Sequence, residues 1–329
     1  MTNRIAPVPP GAPDTGLGRS AVALRPRSRR TLGSARRREA LAGYLFLAPG
    51  FVLFAVVILY PIGRAFQISL HQWAIVPGVA SEYLGFTNYS RAFDDPIFWR
   101  ALVNTGVYMA ATVPAQIVLG LAAAVLLDAR MPARTLFRTL YYLPVITSWV
   151  VVSLLFRYLF ITDGGLVNWT LRDGAQLIDE NVSWLGGRWT ALAAVSVLGI
   201  WKGIGWSMVI FLAALQAVPR ELKEAAAVDG ARAWSRFRSV SLPAIRPVVA
   251  FVTILLVIGG FNVFTSVFLI TGGGPNDETQ VLLTYMYRQA FTFLEFGYAS
   301  SISFVLTGIV FVLSLVQLRL FRRPGEVAR

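Results

Sequence analysis

Residues 41–62 read LAGYLFLAPGFVLFAVVILYPI, 22 positions without one charged side chain. A helix rises about 1.5 Å per residue, so this stretch is long enough to cross the roughly 30 Å of hydrocarbon in a bilayer. Five more long apolar segments follow, at 102–127, 140–160, 190–215, 248–270 and 299–320. Hydrocarbon offers no hydrogen-bond partner, so each segment must satisfy its own backbone, and segments rich in Leu, Ala, Val and Ile do this as helices. The alternation that marks a transmembrane barrel is not seen. Of 329 residues, 56% are hydrophobic and 14% charged, too apolar a balance for an ordinary soluble domain. The expected fold is an all-α polytopic membrane protein with six transmembrane helices.

The formal net charge of +13 would by itself suggest a nucleic-acid partner. Its distribution says otherwise, because the basic residues sit beside the apolar spans, and no nucleic acid is expected. Segments 1–40, 128–138, 217–247 and the C-terminus from Arg319 hold 22 basic and 7 acidic residues, whereas 65–100, 161–188 and 271–296 hold 5 basic and 10 acidic. Positive loops stay cytoplasmic during insertion, so both termini are expected in the cytoplasm of a multi-pass inner-membrane protein. Residues 1–40 carry nine Arg among Pro, Gly and Ser and read as a disordered basic tail. The length of that tail, with no small-residue cleavage site after the first apolar run, argues against a cleaved signal. Residues 41–100 then hold the first span and its outer loop, 101–323 the main transmembrane domain, and 324–329 a short cytoplasmic tail.

Between the fourth and fifth spans lies VPRELKEAAAVDGARAWSRFRSVSLPAIRP, residues 218–247, longer than neighbouring helices need for a connection. Pro219 suits a first helical position, Glu221 the positive helix N-terminus, and Gly230 a left-handed stop. A second short helix is expected from about Arg232, with Trp234, Phe237 and Val240 in an apolar stripe, and Pro243 and Pro247 punctuating the entry to the fifth span. Two helices joined by a glycine turn make either a knob that fits a partner's groove or an amphipathic pair lying on the lipid surface.

The spacing of Glu224, Ala225, Ala226, Asp229, Gly230, Ala231, Phe237, Leu242, Pro243 and Pro247 resembles the EAA loop of permease subunits from binding-protein-dependent ABC importers. The resemblance narrows to the carbohydrate-uptake permeases of the maltose and glycerol-phosphate type. LGFTNYSRAFDDPIFWRALVNT (84–105), GLVNWTL (165–171) with Trp184 and Leu185, FNVFTSVFLITGGGP (261–275), and FGYASS (296–301) are similar to that family's outer loops and its final third. It covers about 41–323, without the large outer domain that the enteric maltose permease inserts between its third and fourth spans. It implies the type I ABC importer permease fold, a second permease subunit, two cytoplasmic ABC ATPase subunits and an extracytoplasmic solute-binding protein. ATP and Mg would act on the ATPase, with no cofactor on this chain. Glu224 and Asp229 would be polar contacts to the ATPase, Gly230 the turn between levers, and Ala225 and Ala226 the close-packing face. The solute implied is a sugar or related small polar molecule, glycerol phosphate included.

Absences narrow the chemistry further. A phosphate-binding P-loop needs Gly directly before its Lys, and Lys202 follows Trp201 while Lys223 follows Leu222, so the chain is expected not to be an enzyme and to leave ATP hydrolysis to another subunit. With one His and no Cys, a His/Cys metal cluster is not available. Lys202, near the middle of the fourth span, either meets an anionic substrate, faces a partner helix or wet cavity, or snorkels. Phe261, Asn262, Phe264 and Thr265 combine rings and polar groups as a sugar pathway would, or pack helices through Gly259, Gly260 and Asn262. An ion-coupled carrier and a non-transporting membrane scaffold are the competing classes. Carriers of the first kind place carboxylates at mid-membrane, whereas the acids here fall in tails and loops.

Overall fold

The computed structural model describes residues 31–76, 78–129 and 132–321. The expected basic tail lies outside them up to residue 30, as does all of 324–329. From Thr31 the chain is helical, which corrects the expectation of disorder for 31–40. Leu, Ala and Arg are good helix formers, and lengthening an existing helix needs no new nucleus.

Two compact units divide at Pro61. The first holds α1 (Thr31–Phe54) and a wide π-type turn, Ala55–Leu59. α2 spans Tyr60–Ser69. The second unit opens with two short antiparallel strands, β1 (His71–Gln72) and β2 (Glu82–Tyr83), with His71 opposite Tyr83. Helices follow: α3 (Thr87–Asp94), α4 (Pro96–Asp128), α5 (Arg134–Ile146), α6 (Trp149–Leu159), α7 (Leu166–Trp169) and α8 (Arg188–Gln216). They continue with α9 (Arg220–Val228), α10 (Ala233–Arg236), α11 (Leu242–Phe261), α12 (Thr265–Ile270), α13 (Leu282–Phe291) and α14 (Phe296–Phe321).

Among the described residues five helices are long and apolar enough to cross a membrane: Glu39–Ser69, Pro96–Asp128, Arg188–Gln216, Ala233–Ile270 and Phe296–Phe321. α5 and α6 together make a sixth, bent by 94°. This bend corrects the expectation of one continuous third span. Pro144 has no N–H to give the helix, and Thr147 and Ser148 are extended, so the backbone turns there. A second correction concerns the fifth span. The short helix expected to stand apart from it, α10, runs through a wide turn (Phe237–Ser241) straight into α11. Pro243 lies just after the wide turn, which lets the helix pass the missing N–H.

Lipid is as apolar as a leucine side chain, so close packing and polar contacts hold these helices together. On α8, Gly199, Gly203 and Ser207 stand four apart and form a narrow seam against α4. A Cβ on Gly199 would strike the Tyr108 hydroxyl, one on Gly203 the Gln116 amide, and one on Gly120 of α4 would lie 2.7 Å from the Ser207 Cβ. Phe211, Leu212, Leu215 and Met208 extend the seam into a buried cluster with Ala123, Ala124, Leu127 and Ile245. At one end of the bundle α4 and α8 finish and α5 and α11 begin; at the other lie the 70–95, 160–187 and 271–295 connections.

Candidate functional site

Two helix breaks face each other in the second unit and, with α4 and α8, enclose a cavity of about 530 Å³. Tyr108, Thr112 and Gln116 come from α4, Lys202, Gly203 and Trp206 from α8, and Val145 and Trp149 from the α5–α6 bend. The α11–α12 break supplies Gly259, Gly260 and Asn262 through Ser266. Irregular backbone at membrane depth is tolerated where it lines a cavity and its freed polar groups find partners.

Each break has its own partner. At the α5–α6 bend, the Lys202 ammonium donates to the carbonyls of Pro144 and Thr147, each at 2.6 Å, with Thr147 Oγ1 at 3.3 Å. The Trp149 ring lies 4.9 Å from the same nitrogen, and Lys202 is 3% exposed. The lysine caps the negative C-terminal end of α5, so its charge is largely committed to protein oxygens. At the α11–α12 break, Asn262 Nδ2 donates to the Ile258 carbonyl at 2.8 Å. Phe264 stacks on Phe268 at 5.1 Å and meets Tyr287 at 5.2 Å, and Tyr287 in turn meets Phe291 at 4.8 Å. Aromatic rings thus lead from the cavity wall toward the α13 end.

Of the residues the sequence suggested for a pathway, Lys202, Asn262, Phe264 and Thr265 line this cavity. Phe261 does not. Its ring is buried with Val113, Val257 and Tyr285, because it is the last residue of α11 and faces α4 and α13. Gly260 packs on Met109, with a Cβ position 3.2 Å from its Cγ, while Gly259 has open space around it. Packing and cavity lining therefore both hold for this stretch. Sequence reasoning missed Tyr108, Gln116, Trp149 and Trp206; the amide of Gln116 in the middle of an apolar run was the available signal.

The second feature is the α9–α10 elbow. Gly230 has φ +81°, its N–H bonds to the Ala227 carbonyl at 3.0 Å, and the Ala231 N–H bonds to the Ala226 carbonyl at 2.9 Å. These two bonds and a left-handed glycine make a Schellman motif, at the glycine the sequence marks as a left-handed stop. Pro219 precedes the helix as its N-cap instead of opening it. Glu224, Ala225, Asp229, Gly230 and Pro243 are exposed, and Ala226, Ala231 and Phe237 half-buried. Val228 is 88% and Trp234 71% exposed, a large apolar offering for a polar segment. Lys223, unforeseen as a contact, donates to Asp128 at 3.2 Å and to the Leu215 carbonyl at 3.0 Å, tying α9 to the ends of α4 and α8.

At the opposite end, Asp95 caps α4 through the Ile97 amide at 2.8 Å and accepts from the hydroxyls of Tyr285 and Tyr298. Burial alone would raise this carboxyl, but the bonds from Tyr285, Tyr298 and the Ile97 and Phe98 amides outweigh it and leave its pKa lowered. Burial, then the hydrogen bond to Asp95 and its charge, raise Tyr285. Asn104 joins α4 to the 271–295 connection through the Glu278 and Gln280 carbonyls, at 2.8 and 2.7 Å, and accepts from Arg188 at 2.9 Å.

Residues 116–324 match the family described as binding-protein-dependent transport system inner membrane component. The chain is 36% identical over 288 residues to the lactose transport system permease protein LacF of Rhizobium radiobacter, covering 86% of this chain and 95% of that one. It is 34% identical over 284 residues to the arabinooligosaccharides transport system permease protein AraP of Halalkalibacterium halodurans, covering 86% and 88%. Among solved structures, a bacterial alginate ABC transporter in complex with its alginate pentasaccharide-bound periplasmic protein matches with a TM-score of 0.76 at 23% identity. That match covers 91% of this chain and 99% of that one.

Proposed function

This chain belongs to the binding-protein-dependent transport inner-membrane family, and from that premise we propose that it forms half of the path for a sugar or related polar solute and is driven through its α9–α10 elbow. It is a multi-pass permease subunit of an ABC importer and not an enzyme. The observation that carries the coupling reading is the α9–α10 elbow, exposed at Glu224, Val228, Asp229 and Trp234, stopped at Gly230 and continuous through α10 with the helix that walls the cavity. ATP and Mg act on separate ATPase subunits, whose groove receives Glu224, Asp229 and the apolar side chains of Val228 and Trp234. A second permease subunit closes the other half of the path, and a solute-binding protein delivers the solute on the outer side, with both termini cytoplasmic.

Chemistry at the cavity favours a neutral, hydroxyl-rich solute over an anion. Sugars bind through ring stacking and hydrogen bonds, and the wall presents Tyr108, Gln116, Trp149, Trp206, Asn262 and Phe264. The one ammonium there, Lys202, already holds carbonyls. To test the coupling, Gly230 is replaced with a bulky residue and Glu224 with Lys in the complete importer. Both variants should insert, and both should lose uptake. Normal transport by both, with the ATPase still bound, refutes the reading.

A further inference from the structure

Outside the cavity a second hollow of about 450 Å³ lies between α5 and α8, at the end of the bundle where α8 finishes. Its walls are Tyr142, Leu143, Ile146, Val209 and Leu212, and Arg138 and Gln216 stand at its mouth. Arg134 and Arg138 are one helical turn apart on α5 and converge on one amide. With its oxygen facing them, Gln216 accepts from Arg134 Nη2 at 2.6 Å and from Arg138 Nη2 at 2.8 Å. Among the described residues neither arginine has a carboxylate within ion-pair distance, and the Nε–H of each is shielded from solvent without an acceptor.

Two like charges held on a neutral acceptor are under-compensated, since charges four apart on a helix repel. An anion beside them would supply the missing countercharge, and guanidinium groups match phosphate oxygens in a paired geometry. The groove beside the arginines is lined mainly by apolar side chains of two apolar helices and is open along the bundle surface, with Leu143 and Ile146 exposed, which suits an acyl chain. We propose that this groove binds an anionic phospholipid, its phosphate against Arg134 and Arg138 and one acyl chain along Tyr142, Leu143, Ile146 and Leu212. Basic pockets between transmembrane helices at the headgroup level select such lipids. The site is separate from the solute path and does not rest on the coupling reading.

The chain has no cysteine, so a single reporter can be placed without background. Thr139→Cys on the groove and Val312→Cys on the exposed face of α14 are each labelled with bimane in the full chain assembled with its partner subunits. Each is reconstituted into vesicles of phosphatidylcholine and phosphatidylglycerol in equal parts, with one lipid or the other brominated as quencher. At Thr139→Cys, brominated phosphatidylglycerol should quench with an apparent affinity roughly five- to thirty-fold above brominated phosphatidylcholine, the range expected for one or two arginines at a headgroup. At Val312→Cys the two lipids should quench alike. Arg134→Gln with Arg138→Gln should bring the groove ratio close to one, and Arg134→Lys with Arg138→Lys should retain most of the preference. Should the Gln variant fail to fold, added salt must lower the ratio in the unsubstituted protein. Equal quenching by both lipids at the groove, or no quenching by either because another subunit covers it, overturns the proposal.

Discussion

Replacing Lys202 with Met tests whether the lysine holds the protein or the solute. Its ammonium makes two 2.6 Å hydrogen bonds, to the carbonyls of Pro144 and Thr147. The Pro144 carbonyl keeps a second donor, the Thr147 hydroxyl at 2.6 Å, whereas the Thr147 carbonyl has none besides Lys202 among the described residues. A hydrogen bond to a charged group contributes about 1.5–3 kcal/mol, and the loss at Pro144 is partial, so the substitution should cost about 2–4 kcal/mol. At roughly 2–4 °C per kcal/mol for a unit of this size, the melting temperature of the purified importer should fall by roughly 5–15 °C. Uptake should fall for every solute alike, because the α5–α6 bend that walls the cavity loses its cap. Lys202→Arg, which keeps charge and donors, should recover part of both. An unchanged melting temperature with only a raised KM refutes the capping argument and puts the lysine on the solute instead.

Two further outcomes follow from the helix seams and the Asp95 network. Gly205→Ala drives a Cβ into the Tyr141 carbonyl and to 2.9 Å from the Val145 side chain, so it should destabilise by about 1–3 kcal/mol, whereas Gly259→Ala meets nothing within 4 Å and should be neutral or slightly stabilising in the same thermal-shift assay. Equal melting of the two variants would show that α5 does not need its close approach to α8. Because Asp95 is held below its unfolded pKa, its contribution to stability is present above that unfolded value and is lost as pH falls through the lowered one. Tyr285→Phe should therefore move the acid limb of a stability–pH profile to higher pH, and superimposable acid limbs would refute the assignment.

Much of this architecture was legible because its signals are local. The length of an apolar run needs no tertiary information, and each expected span coincides with a helix or helix pair. Gly230 was legible for the same reason, since a left-handed stop is a property of one residue and its preceding turn. The breaks were not. Pro144 and Pro247 both lie inside apolar helices, yet only the first is near a sharp bend. At the first, Thr147 and Ser148 are extended, and a donor arriving from α8, 58 positions along the chain, bonds the Pro144 and Thr147 carbonyls. Phe261 was misplaced for a related reason. One residue decides whether the ring at the end of α11 turns into the core or into the cavity, and the sequence pattern does not set where α11 stops.

If the elbow drives transport, the geometry also says which wall moves. α4 and α8 are locked by the Gly199, Gly203 and Ser207 seam, and their common end is held to α9 by Lys223. α10 and α11 form one helical path from Ala233 to Phe261, on the order of 40 Å long at 1.5 Å per residue, which packs on that pair through Ile245 and Val252. A tilt of about 5° over such a length displaces its far end by roughly 3–4 Å, enough to change a cavity wall by the thickness of a ring. That far end is the α11–α12 break, where Asn262, Phe264 and Thr265 meet the cavity. The α4–α8 pair is then the fixed jaw and the α11–α12 break the moving one. Gly230 lies between the part of the elbow tied to the fixed jaw and the part continuous with the moving one, so a left-handed turn there relates the two motions.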